Sequence, residues 1–158
     1  MDRTLLEREL SFLHANLKHY LTYWPEGQEQ WSPVPGKAYT LLDLASHLYT
    51  QPLGYAAILR GAPPEEIIKI AGGPWDATGP ADLLADLERG MAALHAALAS
   101  LSDEEFAGKA IPWPFGEPLS PAAHLMTLIT HIHHHRGQFH LYLKLLGLPV
   151  DTGTVYTA

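Results

Sequence analysis

The stretch SPAAHLMTLITHIHHHRGQFHLYLKLLGLP, residues 120–149, decides the fold. Ser120 is a preferred N-cap residue, Pro121 suits the first helical position, and Gly147 followed by Pro149 marks the stop. Between these signals Leu125, Leu128, Ile132, Phe139, Leu143 and Leu146 recur at helical spacing and make one apolar stripe. A capped helix that is apolar along one stripe needs other helices to cover it.

Three further segments show the same periodicity. The first runs from about Asp2 to Trp24, with Leu6, Leu10, Leu13, Leu17 and Leu21 on one stripe. The second starts at Thr40, an N-cap with Asp43 three residues on, and reaches about Arg60 with an expected kink at Pro52. The third begins near Pro80 and carries Leu83, Leu84, Leu87, Met91, Leu94 and Leu98 to about Leu101. PPEEII, residues 63–68, reads as a short turn of helix. The segment SDEEFAGKAIPWPFGEPL, residues 102–119, holds three prolines and reads as irregular. With no convincing strand pattern, four long amphipathic helices predict an all-α four-helix bundle spanning residues 1–158 as one domain.

Composition removes several function classes. The chain has 158 residues and no cysteine, so any metal must be held by histidine and carboxylate. Its formal charge of −7, with ten scattered Lys and Arg residues, argues against a nucleic-acid partner. No apolar run reaches the roughly 18 residues a membrane span needs, and the charged N-terminal turns have no signal-like core. A cytoplasmic protein without a membrane partner is expected.

HIHHHRGQF, residues 131–139, puts four histidines into five positions, but they do not share a face. At about 100° per residue His135 falls about 40° from His131, whereas His133 falls about 200° away. Only His131 and His135 are both adjacent to each other and close to the apolar stripe. Such an i, i+4 pair is either a polar helix edge or part of a metal site, and spacing alone leaves both open. His47, at a similar offset from the stripe of the second helix, becomes a third candidate if the two helices pack stripe to stripe. His124, two turns before the pair, is either an outer partner of such a site or polar surface.

HLYTQP after His47, and H-x-x-x-H-R-G-Q followed by LYLKLLGLP, resemble the DinB/YfiT-like superfamily. The likeness covers almost the whole chain, including the Trp31-Ser32-Pro33 loop and the Trp113 loop, with Lys144 standing where arginine is common in the family. It implies an up-down-down-up helix order, metal ligands at His47, His131 and His135, a divalent ion such as zinc or nickel, and a homodimer. Family members include S-transferases that use bacillithiol and mycothiol-dependent enzymes. The resemblance therefore implies a thiol S-transferase acting on a small-molecule substrate, in which the metal activates a low-molecular-weight thiol. A hydrolase using metal-bound hydroxide and a non-enzymatic stress-response metal-binding module are the alternatives.

A three-histidine site with an open position suits either chemistry. The zincin motif requires glutamate after the first histidine, and position 132 is isoleucine. Asp43 is the nearest alternative carboxylate, either as base, as helix cap or as an acceptor that orients His47. Gln138 is placed to bond a ligand or a bound water, Gly137 to permit close helix approach, and Arg136 to hold a carboxylate. Trp31, Trp75 and Trp113 line a pocket mouth or pack over bundle ends. Asp151-Thr152-Gly153 mimics an aspartic-protease triplet in a single copy and is set aside.

Overall fold

A computed structural model describes residues 2–158. It is mainly helical. The long helices are α1 (Arg3–Leu21), α2 (Leu41–Leu59), α4 (Pro80–Ala99) and α6 (Pro121–Leu145). Shorter helices α3 (Pro64–Gly72), α5 (Asp103–Gly108) and α7 (Thr152–Tyr156) fill the connections and the C-terminal end.

The helix boundaries follow from side-chain chemistry. Thr40 and Ser120 each accept an amide N–H from the residue three positions on, capping α2 and α6. Gly147 takes φ +80° just past α6, a backbone conformation that residues with a side chain rarely adopt. α2 continues through Pro52 to Leu59, so the proline does not end the helix.

The stripes meet in one apolar core that includes Leu10, Leu13 and Leu17 of α1, Leu44 and Leu48 of α2, Leu83 and Leu87 of α4, and Leu128 and Phe139 of α6. α2 is central, packing against α4, α6 and α3. Its contact with α4 depends on Gly90, where a Cβ would lie 2.8 Å from the Leu53 nitrogen and 3.2 Å from the Pro52 Cβ. Gly137, expected to allow such an approach, has nothing within 4 Å of a built Cβ and serves no close packing.

One expectation is corrected. Residues 102–119 are not irregular: Ser102 and Glu105 form a reciprocal capping box that starts α5, and β1 (Ile111–Trp113) pairs antiparallel with β2 (Gly116–Leu119). Pro112 and Pro118 disguise the strands, yet a two-stranded hairpin has free edges on which proline is tolerated. The tail also folds, because Asp151 caps α7 by accepting the Thr154 N–H; this is the role of the Asp-Thr-Gly triplet. No helix among the described residues is long and apolar enough to cross a membrane.

Candidate metal centre

His47 lies in the first half of α2, and His131 and His135 lie one turn apart on α6. Packing of α2 on α6 brings their side chains together. The Nε2 atom of His47 is 3.2 Å from Nε2 of His131 and 3.1 Å from Nε2 of His135. Among the described residues no cysteine or carboxylate joins this group.

Two of the three rings are held from behind. His47 Nδ1 donates to the carbonyl oxygen of Ala71, at the end of α3, at 2.8 Å. His135 Nδ1 donates to Gln138 Oε1, also at 2.8 Å. A carbonyl oxygen only accepts, so the proton of each of these rings sits on Nδ1 and its Nε2 presents a lone pair. Burial, reinforced by the neighbouring imidazoles, pushes His131 down to about 4. Burial likewise takes His135 to about 4, against the opposing pull of the Gln138 bond. His47 is lowered by burial and partly restored by its bond to Ala71. All three rings are neutral near pH 7.

This arrangement could hold a cation. Two unprotonated nitrogens facing each other at 3.1 Å cannot hydrogen-bond and repel unless a cation lies between them. Imidazole nitrogens bound at about 2.05 Å to a tetrahedral ion stand about 3.3 Å from one another, close to the spacing here. The donor set therefore fits a divalent metal with at least one position left for a ligand from outside the chain.

The other sequence candidates separate. Gln138 touches the cluster directly through His135. Asp43 does not orient His47: its carboxylate accepts the Thr40 hydroxyl at 2.7 Å, and Ala71 supplies the acceptor instead. Sequence reasoning missed Ala71 because its backbone oxygen does the work, which leaves no side-chain signal. His124 is fully buried under the hairpin, its Nε2 3.4 Å from the Ile111 carbonyl oxygen and its ring against Trp113, with no contact to the three rings. His133 turns to the opposite side and meets Glu9 at 3.1 Å. Arg136 holds no carboxylate; it donates to Asn16 Oδ1 at 2.7 Å and to the Val155 carbonyl, fastening α7 to α1 and α6.

Aromatic side chains enclose the cluster. Tyr39 stacks on the His47 ring with centroids 6.0 Å apart, and Trp75 meets it edge-on at 5.8 Å. Trp113 lines a cavity of about 380 Å³ that His47 and His131 border. Trp31 packs on Tyr142 away from that cavity.

Comparison with known proteins agrees with this architecture. A crystal structure of a DinB-like protein from Bacillus cereus ATCC 10987 superposes with a TM-score of 0.74 at 21% identity, covering 92% of this chain and 93% of that one. A DinB-like protein from Bacillus subtilis gives a TM-score of 0.66 at 19% identity, covering 94% and 97%. No curated protein matches the sequence significantly. The model of the DinB superfamily matches residues 9–139, from α1 through the HRGQ string, and the chain belongs to that superfamily.

Proposed function

We propose that the chain is a divalent-metal-dependent enzyme that joins a low-molecular-weight thiol to an electrophilic small molecule, built as one domain on an up-down-down-up four-helix bundle. The carrying observation is the lone-pair contact of His47 and His135 at 3.1 Å, which calls for a cation. His47, His131 and His135 would hold the ion, and their spacing suits zinc or nickel. When bound there, such an ion supplies Lewis acidity that lowers the pKa of a thiol at its open position, and soft sulfur matches zinc.

The chain's residues do the rest. Ala71 and Gln138 keep two imidazoles in the ligating tautomer, Tyr39 and Trp75 pack against the His47 ring, and the apolar cavity would receive the second substrate. In the transfer, the thiol gives up its proton to solvent, sulfur forms a bond to an electrophilic carbon, and the leaving group departs with the electron pair of its broken bond. The test is conjugate formation between reduced thiols and 1-chloro-2,4-dinitrobenzene, with chloride released. Turnover that requires metal and is abolished in His135→Ala supports the reading; conjugation no faster than the uncatalysed rate with any of glutathione, cysteine or a sugar-linked thiol opposes it.

Hydrolysis is the second reading, favoured by one observation: Asp43 lines the same groove as His135 and Gln138. Ester cleavage without thiol that is lost in Asp43→Asn would select it. A purely metal-storing role fits less well, since the three-histidine group borders a cavity of ligand size.

A further inference from the structure

Of the spaces that border the histidines, two differ sharply in lining. On the α3 and hairpin side, His47 and His131 border the cavity of about 380 Å³, whose walls include Gly54, Ile58, Ile67 and Trp113. No Asp, Glu, Lys or Arg lines it. A charged ligand entering there would lose its hydration with no counterion to replace it. Phe115, at the hairpin tip, also lines it and is 69% exposed; a shallower space bordered by His131 and His135 adjoins it there.

On the other side, His135 and Gln138 border a groove of about 600 Å³ that contains Lys37 and Asp43. Neither charge forms a salt bridge among the described residues. Tyr39 lines both spaces and is their common wall; its carbonyl oxygen accepts the Tyr142 hydroxyl at 3.3 Å, which ties that wall to α6.

Resting on the transferase reading, we infer that the cluster is loaded from two sides: an uncharged apolar electrophile occupies the cavity beside His47 and His131, and a thiol bearing both carboxylate and ammonium groups occupies the groove beside His135. Lys37 would face the carboxylate and Asp43 the ammonium, so the groove suits a cysteine-derived thiol. The cavity's volume suits a molecule of one or two aromatic rings. Separate entry would let both reactants meet at the three histidines without either passing through the other's site.

The test uses cobalt-loaded full-length protein and two probes. N-phenyl-1-naphthylamine, uncharged and fluorescent in apolar surroundings, reports the cavity; the sulfur-to-cobalt absorption band reports glutathione, with 2-mercaptoethanol as the uncharged control thiol. Saturating glutathione is expected to leave the fluorescent probe bound. Gly54→Leu, which fills the cavity, should weaken that probe about tenfold. Ile68 also lines the cavity, and Ile68→Glu, at a position 53% exposed and therefore safe for folding, should do the same by adding charge to the wall. Both variants should keep the glutathione band. Lys37→Ala should raise half-saturation by glutathione about threefold and leave 2-mercaptoethanol unchanged. Displacement of the fluorescent probe by glutathione, unchanged probe binding in both cavity variants, or equal weakening of the two thiols in Lys37→Ala would each overturn the two-sided assignment. Absence of any thiol band in the wild type would instead overturn the transferase reading, and the fluorescence titrations would still decide what the cavity binds.

Discussion

His47 and His135 point unprotonated Nε2 atoms at each other across 3.1 Å, because each ring has committed its proton at Nδ1 to a carbonyl oxygen. The contact ties α2 to α6 at a place where the bare protein gains nothing from it. Replacing any one of the three rings should therefore cost metal before it costs fold.

The purified wild type is expected to carry about one divalent ion per chain and His47→Ala, His131→Ala and His135→Ala well under a fifth of that. His133→Ala and His134→Ala should retain the ion, since His133 bonds Glu9 and His134 is exposed. Elemental analysis decides the point, and equal metal content in His47→Ala and wild type would remove the three-ligand assignment. Chelation should lower the wild-type Tm and leave that of His47→Ala unmoved.

Gln138→Leu removes the oxygen that receives the His135 Nδ1 proton. Metal affinity should fall about 10- to 100-fold, while Gln138→Glu, which keeps an acceptor, should hold it near wild type. Competition with a coloured chelator measures both. A fall of the same size in both variants would point to packing rather than orientation.

The pH dependence follows from the lowered imidazoles. In the metal-free protein His131 and His135 take up protons only near pH 4, whereas in the unfolded chain they do so near the ordinary 6.5. Between those values the unfolded state binds more protons, so stability rises with pH and is lost as pH falls from about 6.5 to about 4. Denaturant midpoints of the metal-free protein across that window should show the slope, and His131→Gln should flatten it.

The four long helices were legible because their caps and stripes agree: Thr40, Ser120 and Gly147 mark ends that the backbone honours. The histidine trio was legible in part. Spacing paired His131 with His135, but their distance from His47 depends on how two helices dock, which periodicity does not encode. The hairpin was hidden by Pro112 and Pro118, residues that oppose strands in general and are harmless on open edges. Ala71 was invisible because a backbone oxygen carries no residue-type signature.

The two glycines offer a packing test. Gly90→Ala would place a Cβ 2.8 Å from the backbone nitrogen of Leu53, which cannot move without disturbing α2, so a loss of about 1–3 kcal/mol is expected. Gly137→Ala meets open space on a helical surface and should stabilise by about 0.5–1 kcal/mol. Urea denaturation of the pair separates close approach from helix propensity; equal effects would contradict the α2–α4 contact geometry.

Arg136 shows why a motif must be resolved residue by residue. It sits between His135, a proposed ligand, and Gly137, yet its guanidinium leads away from the cluster to Asn16, Val155 and the Nδ1 atom of His133. Asn16 in turn donates to the carbonyl oxygens of Thr154 and Thr157, so Arg136 and Asn16 together lash α7 against the bundle. Arg136→Met should cost about 2–3 kcal/mol through lost charge-assisted bonds and an Asn16 oxygen left without its donor. The C-terminal residues 151–157 should then exchange amide hydrogen faster and become open to carboxypeptidase. Metal content should stay at the wild-type level, because no bond of Arg136 reaches the three rings directly. Loss of metal with the C-terminal helix still protected would show that the arginine acts on the site rather than on the tail.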